Sequence, residues 1–256
     1  MADKPPRIAL LIDADNAPAT RIGFILNELS TFGETSIRRA YGNWKKAELR
    51  GWEEALHEHA IRPMQQFDYS KGKNASDMAM VIDALDLLYS DRPEAFGIVS
   101  SDADFTPLVM HLRAKGAAVY GFGGQKTPEP FVNACSRFLY LDQLVQGAVV
   151  AASPEESLRD ESMATPLRVS TAKLKQDTRL VTLLRAAVDS AKAESGWARV
   201  GAVGQQIGNQ ASFDARNYGY STLSKLLKAT ELFQLDKEGT SEVAVRDLRN
   251  AKSAKL

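Results

Sequence analysis

The sequence predicts an α/β fold, a mostly parallel sheet with helices on both faces, followed by a smaller α+β module. Three observations predict it. Residues 1–145 alternate short β-branched apolar runs with stretches of helical spacing, the rhythm of right-handed strand-helix-strand crossovers. The first run, Ile8-Ala9-Leu10-Leu11-Ile12, is continuous, as a strand buried on both faces requires. From Leu174 onward three helical stretches precede a hairpin pattern.

The elements follow in order. After the strand at residues 8–12, Pro18 suits a first helical turn, and Ile22, Ile25, Leu26 and Leu29 give helical spacing until Gly33 stops it. Residues 34–41 read as the second strand, and Gly42-Asn43-Trp44-Lys45-Lys46 as a loop. A helix is expected over 47–60, with Leu49, Trp52, Leu56 and Ala60 on one side. Residues 61–67 form a third strand, placed at a sheet edge because Pro63 cannot donate to a ladder. Lys71-Gly72-Lys73-Asn74 is a basic loop before an apolar helix over 76–89. Gly97-Ile98-Val99 is the fourth strand, and the helix opening at Phe105 ends at Lys115-Gly116. Residues 117–122 are the fifth strand, 131–134 a short helix and 138–141 a last strand.

Residues 146–172 read as a linker between a domain over 1–145 and one over 173–250. Within it, 146–152 are small and apolar, which leaves an interface helix and an oligomer open. The second domain has helices over 180–193, 197–208 and 221–229, then strands at 233–235 and 241–245 around Lys237-Glu238-Gly239-Thr240. That order is the order of a winged helix-turn-helix.

Composition narrows the function classes. The chain has 256 residues, 44% hydrophobic and 25% charged, and no apolar run near the roughly 20 residues of a membrane span. The segment 1–7 lacks the apolar stretch of a signal peptide, so a cytoplasmic location is expected. Cys135 is the only cysteine, which excludes an intrachain disulfide and a cysteine metal cluster. The net charge of zero hides an asymmetry: residues 1–145 hold 16 basic against 19 acidic groups, and 168–256 hold 15 against 9. An acidic front and a basic rear suit an enzyme acting on a polyanion.

Carboxylates carry the chemistry. Asp13, Asp15, Asp77, Asp83, Asp102 and Asp104 fall at or near strand ends and the helix after the third strand. In an α/β sheet the carboxyl ends of strands are where ligands bind. Carboxylates gathered there repel unless protons or cations intervene. Hard cations such as Mg²⁺ and Mn²⁺ take oxygen ligands, polarise phosphoryl oxygens and activate water. A plainer use also fits: Asp102, Asp104, Ser100 or Ser101 can cap the helix near Phe105, and Asp15-Asn16 can form a turn. His57, His59 and His111 read as solvated, Cys135 as core and Asp83 as solvated or as a support to the site. Arg38, Arg39, Trp44, Lys45 and Lys46 flank the second strand, and Lys71 and Lys73 precede Asp77. Such cations hold phosphates while an aromatic ring stacks on an unpaired base. Trp44 serves equally as a loop anchor.

Three motifs, Leu-Ile-Asp13-Ala-Asp15-Asn16, Lys71-Gly-Lys73-Asn-Ala-Ser-Asp77 running on to Asp83, and Ser100-Ser101-Asp102-Ala-Asp104-Phe105-Thr-Pro-Leu, resemble the NYN domain, a branch of the PIN-like metal-dependent ribonucleases. Lys115-Gly116-Ala-Ala-Val-Tyr-Gly121 fits the same pattern. The resemblance implies a Rossmann-like sheet with the first and fourth strands adjacent. It implies that Asp13, Asp77, Asp102 and Asp104 hold Mg²⁺ or Mn²⁺, with Asn16 and the Ser100 or Ser101 hydroxyl lining the site. Ser101 stands where the family usually has Gly. Residues 175–248 resemble an OST-HTH (LOTUS) domain through Leu183-Leu184, Gly196-Trp197, Phe213-Asp214, Tyr218-Gly219-Tyr220 and Leu226-Leu227. That family binds RNA or, in some members, a protein partner. The expectation is therefore a metal-dependent endoribonuclease, with Asn16, Arg39, Trp44, Lys45, Lys71, Lys73 and Ser101 contacting RNA. One alternative is an RNA- or protein-binding regulator without turnover. Another is a haloacid-dehalogenase-like phosphatase, since Asp13-x-Asp15 follows an apolar strand, although Ala17 stands where that family has Thr or Val.

Overall fold

The apolar run at the start of the chain forms β1 (Arg7–Asp13), buried at every residue except Arg7. The structure is a computed structural model that describes residues 4–67, 74–142, 168–240 and 242–249. The chain divides into two units, Met1–Leu141 and Asp142–Leu256. No helix among the described residues is long and apolar enough to cross a membrane.

In the first unit α1 (Ile22–Ser30) buries Ile22, Ile25 and Leu29. Gly33 does more than stop it: a Cβ there would stand 2.1 Å from the Pro6 carbonyl oxygen. β2 (Glu34–Gly42) follows. The helix expected over 47–60 is broken into a 3-10 turn, Ala47–Gly51, and α2 (Trp52–Glu58). Gly51, with weak helical preference, sits at the break, and Ala60 adopts φ 50° beyond the end. β3 (Arg62–Gln65) is indeed an edge strand, with Pro63 opposite Ala40. α3 (Ala75–Tyr89), β4 (Ala95–Val99), α4 (Thr106–Ala114), β5 (Ala118–Gly123), α5 (Glu129–Ala134) and β6 (Arg137–Tyr140) complete the unit.

The six strands run β3-β2-β1-β4-β5-β6, all parallel. Strand order reverses between β1 and β4, with Ile12 opposite Val99. Asp13 and the residues after Val99 therefore share the carboxyl edge at the switch point, where ligands bind in such sheets. Tyr41, Phe96, Phe105, Phe131 and Phe138 fill the core between the sheet and α3, α4 and α5. Cys135 lies in that core, as expected, and burial pushes its thiol up to about 12.

The second unit contains α6 (Thr171–Gln176), α7 (Thr178–Ala191), β7 (Ala198–Arg199), α8 (Val200–Gln210), α9 (Leu223–Thr230), β8 (Phe233–Asp236) and β9 (Ala244–Asp247). Three elements differ from expectation. α6 is an added helix, too short to show a period. The stretch read as one helix from Trp197 begins as β7, which pairs antiparallel with β9 in the order β7-β9-β8. The returning hairpin strand starts at Ala244, because Lys237 and Gly239 take positive φ and lengthen the turn. Gly219, at φ 80°, ends a 3-10 turn in the left-handed region that glycine enters freely. Residues 146–152 lie outside the described residues.

Candidate active site

Three elements deliver carboxylates to the switch point. β1 ends at Asp13, where its continuous apolar run stops. The chain leaving β4 runs through Ser100 and Ser101 to Asp102, which caps a 3-10 turn by accepting from the Asp104 amide at 2.9 Å. The first turn of α3 presents Asp77. The capping role and the acidic role of Asp102 are thus compatible.

Asp13 is 1% exposed, and no cation pairs with it among the described contacts. Its Oδ2 accepts from Asn16 Nδ2 at 2.9 Å and from Ser100 Oγ at 2.8 Å. Its Oδ1 is buried with no hydrogen-bond partner. Burial raises the Asp13 carboxyl above its ordinary value, against the lowering effect of those two donors. Ser100 Oγ also accepts from the Asp102 amide at 3.1 Å, which ties the two acidic strand ends together.

Asp77 is lifted to about 6. Burial is the largest cause, followed by the charges of Asp13, Asp102, Asp15 and Asp104. The other three aspartates of the predicted set therefore all act on Asp77, and Asp15 acts with them. Asp15 accepts from Ser76 Oγ at 3.1 Å and pairs with Lys46 Nζ at 3.3 Å. Among the described residues no three His, Cys, Asp or Glu side chains close into a ready-made metal cage. Mutual repulsion keeps bare carboxylates apart. The residues nevertheless fit a divalent cation, because the donors are oxygens and a buried Asp13 oxygen lacks any donor.

The flanking residues meet different fates. Asn16 and Ser100 touch Asp13, whereas Ser101 accepts from the Gly124 amide at 2.8 Å. Trp44 and Lys45 lie just past the end of β2; Lys45 Nζ sits 5.0 Å over the Phe67 ring. Arg39 is turned to Asp83, which also accepts from the Tyr41 hydroxyl. Lys71 and Lys73 lie outside the described residues. Sequence reasoning weighed Asp15 only as a turn or a carboxylate and missed Ser76 and Phe67. A serine beside Asp77 and an aromatic at the end of β3 were the available signals.

The chain was compared with known families and proteins. Residues 7–142 match the NYN domain and residues 173–245 the OST-HTH/LOTUS domain. An uncharacterized protein of Methanocaldococcus jannaschii is 29% identical over 123 residues, 46% of this chain. The chain spans about half the length of that curated relative, 48%. A protein of unknown function from Vibrio parahaemolyticus, solved by crystallography, aligns over 55% of this chain and 95% of its own, at 18% identity and a TM-score of 0.44. An uncharacterized protein from Nitrosomonas europaea, solved by NMR, aligns over 38% of this chain and 91% of its own, at 25% identity and a TM-score of 0.25.

Proposed function

We propose that this chain, which belongs to the NYN domain family and carries an OST-HTH/LOTUS domain behind it, is a metal-dependent endoribonuclease. The NYN domain belongs to a nuclease superfamily. The observation that carries the reading is the electrostatic convergence of Asp13, Asp15, Asp102 and Asp104 on Asp77.

Asp13, Asp77, Asp102 and Asp104 would hold Mg²⁺ or Mn²⁺. When bound, the ion supplies Lewis acidity at a phosphate and a water of lowered pKa. The chain's own residues do the rest. Asn16 and Ser100 fix Oδ2 of Asp13, which leaves Oδ1 for the ligand. The Asp104 amide fixes the Asp102 carboxylate. Hydrolysis adds one water: a bond from its oxygen to phosphorus forms, a phosphorus–ribose oxygen bond breaks, and a proton reaches the leaving oxygen. Asp104, exposed at the rim, is the group we assign to that proton transfer. Trp44 and Lys45, just past the end of β2, would take the RNA strand beside the acids. Arg39 braces α3 through Asp83, so we assign it support of Asp77 ahead of RNA contact. The OST-HTH/LOTUS domain would raise the local concentration of RNA.

The test is cleavage of a mixed single-stranded and structured RNA pool with Mn²⁺ or EDTA, beside Asp13→Asn. Mn²⁺-dependent cleavage lost in the variant supports the reading. RNA binding without cleavage by folded protein would return it to a silent binder, and hydrolysis of a phosphomonoester alone to a phosphatase.

A further inference from the structure

We infer that Tyr41 is a positioning residue, whose carbonyl holds the end of β1 and whose hydroxyl holds α3, so that it sets where Asp77 stands against Asp13. The inference rests on the metal-dependent nuclease reading and deepens it by naming what shapes the cation site.

The place of Asp77 is the place of the helix that carries it. No hydrogen bond among the described residues holds the Asp77 carboxylate. The Asn74 side chain, at the N-cap of α3, makes no capping hydrogen bond either. Met80, Ala84 and Leu87 bury one face of α3 against the sheet. Apolar attraction has no direction, so by itself it lets a helix slide or roll. Hydrogen bonds have a preferred distance and angle, and they remove that freedom.

α3 is tied at two points. In its first turn, Ser76 Oγ donates to Asp15 Oδ2 at 3.1 Å. Farther along, Asp83 accepts from the Tyr41 hydroxyl with one oxygen and from Arg39 with the other. Arg39 and Tyr41 are two residues apart on β2, so their side chains rise from one face of the sheet. Ser76 and Asp83 lie roughly 10 Å apart along the helix axis. Two ties that far apart fix both the height and the tilt of a rod.

Tyr41 is the member of this clamp that also reaches Asp13. It lies opposite Asp13 in the parallel pairing of β1 with β2, and its carbonyl accepts from the Ala14 amide at 3.0 Å. Its side chain is fully buried. Burial and the bond to Asp83 hold the hydroxyl above its ordinary value, so it stays a donor. Of the carboxylates that act on Asp77, Asp13 acts most strongly. A short path therefore joins the two acids: the Ala14 amide, the Tyr41 carbonyl, the Tyr41 hydroxyl, Asp83 and less than two turns of α3. A cation shared by both aspartates depends on their separation. Outer groups that orient metal ligands are worth about 10- to 100-fold in affinity.

The test uses Tyr41→Phe, which keeps the ring and deletes the hydroxyl. Mn²⁺ binding to the full chain is read from the electron paramagnetic resonance of free Mn²⁺. The Kd for Mn²⁺ should rise about 10-fold. In an Asp77→Asn background the same change should move the Kd by less than about 2-fold, because the clamp acts through Asp77. At saturating Mn²⁺ kcat should fall while KM for RNA holds. Arg39→Gln, which leaves the buried ring in place, should weaken Mn²⁺ in the same way. An unchanged Kd in both folded variants would overturn the inference. So would an equal loss in the Asp77→Asn background, which marks a general loss of structure. Amide exchange in EDTA separates the clamp from the nuclease reading. Tyr41→Phe should speed exchange in the first two turns of α3 by about 10-fold, with β4 and β5 unchanged. That pattern in a chain that binds no Mn²⁺ would keep the clamp and remove the nuclease reading. Unchanged exchange in α3 would remove the clamp.

Discussion

Buried aspartates in the two units meet opposite fates. Asp247 is 5% exposed and is flanked by Arg249 at 2.8 Å and Arg185 at 3.3 Å. Burial alone would raise its carboxyl, but the Arg249 hydrogen bonds and the charges of both arginines hold it below its ordinary value. Asp214 is 3% exposed and pairs with Arg216 at 2.9 Å. Asp13 is buried at least as deeply, receives only neutral donors, and is raised. A carboxylate that serves the fold is given a cation by the fold. One left among other carboxylates is the arrangement the proposed cation site requires.

The largest expected effect breaks this comparison at the first unit. Asp13→Asn should cut RNA cleavage by about 10²–10³-fold, a loss typical of removing a key electrostatic group. Its melting temperature in EDTA should stay level or rise, because a buried charge is gone. A melting temperature several degrees lower would mean that Asp13 serves the fold after all. The converse change, Asp247→Ala, should lower stability by about 2–4 kcal/mol, since Arg185 is left half-buried without its partner. Chemical denaturation of the two variants side by side reads both effects.

Asp77 sharpens the contrast through pH. Its folded-state value of about 6 exceeds the ordinary 3.8, so the folded chain keeps the proton longer than the unfolded chain. Between about pH 4 and pH 6 rising pH therefore costs stability, and above that the penalty is complete. In EDTA, Asp77→Asn should equal wild type near pH 4 and exceed it by at most about 3 kcal/mol at pH 7. Mn²⁺ should offset most of that difference. At 100 times its Kd it should stabilise wild type by about 2.7 kcal/mol and leave Asp13→Asn nearly unmoved. The smallest effect is expected at the rim: Lys45→Ala should reduce the salt dependence of RNA binding by roughly one phosphate contact, leaving the cleavage rate at saturating RNA unchanged.

Much of the site was legible because carboxylates at strand ends are a one-dimensional signal. A parallel sheet aligns the carboxyl ends of β1 and β4, so Asp13 and Asp102 met once the order of strands was right. The partners of those side chains were not legible. Ser100 and Ser101 are adjacent, yet Ser100 reaches Asp13 across the sheet and Ser101 reaches the Gly124 amide. Residues next to each other in an extended chain face opposite sides. Arg39 read as a free cation because nothing local reveals that Asp83, 44 residues away, turns toward it.

By itself, the sequence determined the alternation of strands and helices, the edge position of β3, the acidic strand ends and the basic second domain. Each is set by periodicity, a proline, or composition within a few residues. Only the tertiary structure decided which carboxylates share charge, which oxygen of Asp13 goes without a donor, that Asp15 and Ser76 join the cluster, and that Tyr41 reaches Asp83. Those properties depend on distances between elements far apart in the chain, and electrostatic coupling follows distance through space.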